Sequence, residues 1–167
     1  MDETDNGAYS RAPEVEDLVK LCAALNAADV RYVLIGGFAV ILHGAVRGTK
    51  DIDLLVDASS DNVHAIKRAM SALPDNAVAA VADTDIQHYQ VVRVADEIVV
   101  DLMACACGID YAQALMDGIE TVTIENVSIP IASKPLLIKM KNTFRDSDKS
   151  DVSWLTMLLK EEQHGGK

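Results

Sequence analysis

Two short apolar runs, Tyr32-Val33-Leu34-Ile35 and Ile52-Asp53-Leu54-Leu55-Val56, stand on either side of Gly36-Gly37 and a further apolar segment over 38–43. Runs this short, rich in branched residues and cut off by glycine or aspartate, read as strands, the first of them buried. The glycine pair ends the first strand, and 38–43 can form a short helix that Gly44 stops. The second run, punctuated by Asp51, Asp53 and Asp57, reads as a strand beside the first.

The rest of the chain must then supply layers that cover a sheet. Val15, Leu18, Val19, Cys22 and Leu25 recur at helical spacing and predict an amphipathic helix over 14–28. Val63, Ile66, Ala69, Met70 and Leu73 predict another over 61–73, capped by Ser60 and closed by Pro74. The runs 88–94 and 97–103 predict an antiparallel pair turning at Ala95-Asp96, and 121–124 with 127–131 a hairpin around Glu125-Asn126. Two closing helices are expected over 134–143 and 152–159, with 146–151 as the turn between them or the start of the second. That order implies the α+β class, a mixed sheet flanked by helices.

At 167 residues and 50% hydrophobic, one domain is the default, spanning 14–160 with C-terminal helices from about 134. Residues 1–13, polar and ending in Pro13, and 161–167, with Gly165 and Gly166, are expected as tails. Cys22, Cys105 and Cys107 have no zinc-like spacing and read as reduced core thiols of a cytoplasmic protein. The acidic start, and the lack of an apolar run near the roughly 20 residues that span a bilayer, argue against secretion and membrane insertion. A net charge of -11 repels polyanions and disfavours broad nucleic-acid binding, although Lys134, Lys139, Lys141 and Arg145 form a basic cluster that either meets phosphate or is a solvated helix face.

The chemistry concentrates around the first two strands. A glycine pair between strand and helix lets a ligand approach the backbone and leaves helix N–H groups for phosphate, though a plain tight turn uses the same residues. Asp51 and Asp53 sit at i and i+2, so both carboxylates leave one face of a strand while Ile52, Leu54 and Val56 leave the other. Such a pair needs a cation, and Mg²⁺ suits hard oxygen ligands while keeping sites for phosphates and water; the alternative is an exposed edge-strand face. Asp101 interrupts the apolar run Ile98-Val99-Val100-Asp101-Leu102-Met103, where an unpaired charge is costly. If that strand lies beside the Asp51-Asp53 strand, three carboxylates converge and can hold two divalent ions for in-line displacement at phosphorus.

The run over 35–57, with Gly36-Gly37, His43-Gly44, Arg47, Thr49 and Asp51-x-Asp53, resembles the signature of the DNA polymerase beta-type nucleotidyltransferase superfamily. The resemblance implies a polymerase beta-like palm, nucleotide binding by Gly36, Gly37, Arg47 and Thr49, and Mg²⁺ on Asp51, Asp53 and Asp101, with Asp101 as base or metal ligand. Gly37 departs from the serine of many members. Ile131-Ala132-Ser133, Leu137-Ile138, Lys141, Arg145, Asp148 and Asp151-Val152 are similar to the tail of abortive-infection (AbiEii-like) nucleotidyltransferase toxins. That likeness implies that Lys141 meets the triphosphate or pyrophosphate and that Asp148 or Asp151 orients a basic partner.

The expectation is a Mg²⁺-dependent enzyme moving NMP from an NTP to an acceptor. A toxin acting on tRNA or another cellular target, with an antitoxin partner, is placed first. Modification of an aminoglycoside-type antibiotic, a small cationic acceptor that suits an acidic surface, is the rival, and a non-catalytic nucleotide-binding module a third reading. With little chain beyond the palm, acceptor recognition is expected to involve a second subunit. His43 is expected to be packed or capping, and Trp154, Met157 and Leu158 to be core.

Overall fold

The computed structural model describes residues 10–141 and 145–165. Helix α1 (Val15–Ala27) leads to β1 (Tyr32–Ile35), α2 (Gly36–Leu42), β2 (Asp51–Val56) and α3 (Ser60–Met70). After a 3₁₀ turn at Ala77–Ala80 come α4 (Asp85–His88), β3 (Val92–Ala95), β4 (Val99–Met103), β5 (Cys105–Ala106), β6 (Ile109–Asp110) and α5 (Tyr111–Asp117). The hairpin β7 (Ile119–Ile124) and β8 (Val127–Ala132), then α6 (Lys134–Met140) and α7 (Asp146–Gly165), complete the order. Six strands form a mixed sheet in the order β3-β4-β2-β1-β8-β7, and β5 and β6 make a separate small ribbon. The α+β class with a helix-flanked mixed sheet is what the structure has.

Strand β1 is buried at every residue, as its uninterrupted apolar run requires. It pairs antiparallel with β2 and parallel with β8, while β2 pairs parallel with β4. Ile52, Leu54, Val100 and Leu102 leave β2 and β4 on one face and are each fully buried. Slipping either strand by one residue would turn these side chains outward. At about 1.5–3 kcal/mol for each, the register is held by roughly 6–12 kcal/mol. Helix α1 lies on this framework against α3 and β8, and α2 packs on β1 and β2.

Several local expectations need correction. The cap of α3 is Ser59, not Ser60. His88 ends the short helix α4 rather than starting a strand, and β3 begins at Val92. The β5–β6 ribbon turns through Cys107 and Gly108, both at positive φ, and exposes Cys105 and Cys107, so Cys22 alone is a core thiol. The β7–β8 turn stands where expected, with Glu125 and Asn126 both left-handed as a tight two-residue hairpin turn demands. Helix α7 starts at Asp146 and runs through Gly165, so most of the expected C-terminal tail is helical. Trp154 packs on the core, but Met157 is exposed. Ser10 and Arg11 bond to the backbone of Asp96 and Glu97, and Arg11 also grips Asp17 through both oxygens, so the end of the expected N-terminal tail is held in place. Residues 1–9, 142–144 and 166–167, which include parts of both tails and of the helix expected over 134–143, lie outside the described residues.

Candidate active site

The parallel register of β2 and β4 sets Asp53 directly beside Asp101, and the pleat carries Asp51 to the same face. One carboxylate oxygen from each of Asp51, Asp53 and Asp101 lies within 4.8 Å of the others. Two charges about 4 Å apart repel by about 4 kcal/mol at an effective dielectric near 20, so the group calls for positive charge beside it. Loss of water raises the Asp53 carboxyl to about 7, with the charges of Asp51 and Asp101 adding to the effect. Asp51 is raised for the same reasons, burial first and Asp101 second, against the pull of Arg93. A set made wholly of hard carboxylate oxygens, on adjacent buried strands, fits a hard divalent cation.

The glycine elbow is built against these acids. Gly36 has φ of +73°, and a Cβ there would overlap the carboxylate of Asp53. Both the left-handed backbone and the close approach therefore require glycine. At Gly37 a Cβ would stand 2.8 Å from Thr49 Oγ1 and 3.2 Å from an Arg47 guanidinium nitrogen. Thr49 in turn donates to the carbonyl of Asp51 at 3.1 Å. Gly36, Gly37, Arg47, Thr49, Asp51 and Asp53 thus form one continuous wall.

The opposite wall comes from the C-terminal helices. Lys141, at the end of α6 and 8% exposed, makes ion pairs with Asp148 at 3.2 Å and Asp151 at 3.0 Å. Asp151 also holds Arg47, and Arg145 pairs with Asp148 at 2.8 Å. This network bolts α7 to the loop before β2. Between the walls lies a cleft of about 1160 Å³ lined by the glycines, the three aspartates, Arg47, Thr49, Lys141 and Arg145.

Every site residue expected from the sequence lines this cleft. The expected basic cluster is split: Lys141 and Arg145 face the cleft, whereas Lys134 pairs with Glu162 and Lys139 with Asp117. His43 is packed, with Nε2 2.9 Å from the carbonyl of Ala132. One charged residue of the cleft was missed. Arg93 forks onto Asp101 at 2.9 and 3.0 Å and reaches Asp51 at 3.3 Å. A two-residue turn at Ala95-Asp96 would have set Arg93 opposite Ile98. The observed turn is longer, with Ala95 paired to Val99, and this sets Arg93 opposite Asp101. The signal was present in Val92-Arg93-Val94, a charge alternating with buried valines.

Among the described residues, no helix is long and apolar enough to cross a membrane. No curated protein matches the chain significantly. A solved structure from Thermotoga maritima, described as a candidate nucleotidyltransferase, is similar over 91% of this chain and 90% of its own, with 18% identity and a TM-score of 0.49. The sequence model of the aminoglycoside-2''-adenylyltransferase family matches residues 17–134, a span that contains the glycine elbow, Arg93 and all three aspartates but stops before Lys141. With most of its length and the whole carboxylate group inside that match, the chain is a nucleotidyltransferase and belongs to the aminoglycoside-2''-adenylyltransferase family.

Proposed function

We propose that the protein moves a nucleoside monophosphate from an NTP, ATP by the family's name, onto a hydroxyl of a polycationic acceptor of the aminoglycoside type. The observation that carries the transfer chemistry is the convergence of Asp51, Asp53 and Asp101 beside the Gly36 elbow. These carboxylates would hold Mg²⁺ as a two-ion site, which when bound supplies charge neutralisation at phosphorus and a lowered pKa for the attacking hydroxyl. The Gly36-Gly37 backbone at the start of α2, with Arg47 and Thr49 beside it, binds the triphosphate. Lys141, tied to Asp148 and Asp151, shapes the wall facing those phosphates. The acceptor hydroxyl attacks the α-phosphorus, the bond to the bridging oxygen breaks, pyrophosphate leaves, and Asp101 takes the hydroxyl proton.

The net charge of -11 supports a cationic acceptor, because a negative field concentrates cations at the surface and repels RNA. A second reading, an AbiEii-like toxin of the cytoplasm that modifies tRNA and is restrained by an antitoxin, is supported by the assembly of Lys141, Arg145, Asp148 and Asp151 at the cleft. Incubating the protein with α-labelled NTPs, Mg²⁺ and either aminoglycosides or total tRNA separates the two. Label on the drug supports the first reading and label on tRNA the second. Absence of both transfer and nucleotide binding would refute transferase chemistry at this cleft.

A further inference from the structure

We infer that Arg93 is a built-in counter-cation of the carboxylate group, one that a divalent ion must displace from Asp101 in order to bind. The inference rests on the metal-site reading above. The Arg93 guanidinium engages both oxygens of Asp101, at 2.9 and 3.0 Å, and also touches Asp51 at 3.3 Å. These are oxygens of two of the three carboxylates that come within 4.8 Å of one another. A forked arginine–carboxylate pair directs two donors at the lone pairs a metal would use, and its positive charge opposes a second cation on the same oxygens.

The placement of Arg93 suits exchange rather than permanent attachment. It lies on β3, at the edge of the sheet, with its side chain 55% exposed. Val92 and Val94 on either side are buried and anchor the strand, so the guanidinium can swing into water without backbone movement. Asp101, by contrast, is 5% exposed and sits on an interior strand. The partner that moves is the arginine. Lys141 is engaged by Asp148 and Asp151 instead. Loading the site is therefore an exchange of one cation for another, and in the metal-free protein Arg93 offsets part of the charge of Asp101 and Asp51.

The test uses the nucleotide-free full chain and its R93Q and R93K variants, with Mn²⁺ as the probe, at about pH 8, far above the ordinary carboxylate range. Mn²⁺ binding is followed by the electron paramagnetic resonance of the free ion, and thermal melting is recorded in EDTA and in saturating Mn²⁺. The expected result is Mn²⁺ binding about tenfold tighter in R93Q, or ~1.4 kcal/mol. R93Q should also melt below the unsubstituted protein in EDTA, and that gap should close with Mn²⁺. R93K, which keeps the charge but loses the fork, should fall between. Equal or weaker Mn²⁺ binding in R93Q overturns the inference, and should R93Q not fold, equal or weaker binding in R93K does so. If none of the three proteins binds Mn²⁺, the metal-site reading itself fails; if all bind alike, that reading stands and the counter-cation role falls.

Discussion

Replacing Gly36 by alanine tests how closely the elbow and the acids are joined. Two costs add. A left-handed φ of +73° is unfavourable for alanine by about 1–2 kcal/mol. That cost should lower the melting temperature by about 2–8 °C in a chain of this size. The second cost is functional, because the new methyl group overlaps the Asp53 carboxylate, which must shift. A displacement of about 1 Å at a reacting centre is worth about 100-fold in rate. G36A should therefore lose about two orders of magnitude in pyrophosphate release and bind Mn²⁺ more weakly. Gly37 provides the contrast: its φ is not positive, and an added Cβ meets the Thr49 hydroxyl at 2.8 Å and, at 3.2 Å, Thr49 Cβ and an Arg47 nitrogen, so that side chains outside the carboxylate group give way. G37A should cost no more than about 1 kcal/mol. Equal activity of the two variants, or unchanged Mn²⁺ affinity in G36A, would refute the argument that Asp53 packs on the elbow.

Asp53→Asn should separate stability from function. The folded-state value of about 7, against an ordinary 3.8, means that the fold disfavours the ionised form, a penalty absent below about pH 4 and complete above pH 7. In EDTA at about pH 8, D53N should melt higher than the unsubstituted protein while losing Mn²⁺ binding, and a lower melting temperature would contradict the reasoning. The same linkage predicts that metal binding at about pH 6 releases close to one proton, and that the release vanishes above about pH 8. Calorimetry in two buffers of different ionisation enthalpy measures it, and identical apparent enthalpies at the lower pH would count against a raised Asp53. Asp151→Ala removes one of two acids from a lysine that is 8% exposed and releases Arg47. Urea unfolding should show a loss of about 2–3 kcal/mol, and a loss below about 0.5 kcal/mol would mean that the network does not hold α7 to the palm.

Much of the site was legible because its rules are short-range. A strand has period two, so Asp51 and Asp53 share a face whatever the sheet around them, and Gly36-Gly37 marks a strand end wherever that strand lies. The β7–β8 register could likewise be read from its turn, since a two-residue connection at Glu125-Asn126 leaves one pairing. The β3–β4 turn was less clear. Asp96 accepts the backbone N–H groups of Asp75, Ala77 and Glu97, a knot made with a distant loop, and it lengthens the turn beyond what Ala95-Asp96 suggests. That misplacement hid Arg93. The β5–β6 ribbon, with two residues in each strand, and α5, with seven, are too short to show a period, so they were missed.

From the chain alone came the face shared by two aspartates, the oddity of a third within an apolar strand, and the glycine turn ahead of them, because each depends only on neighbours a few residues away. Tertiary structure decided that Asp53 and Asp101 stand side by side, that Arg93 bridges Asp101 and Asp51, and that Arg47 and Lys141 meet on Asp151. The physical reason is that β2 and β4 are parallel strands linked by a long crossover. Their register follows from which apolar side chains are buried together, a property of the assembled core rather than of any one segment.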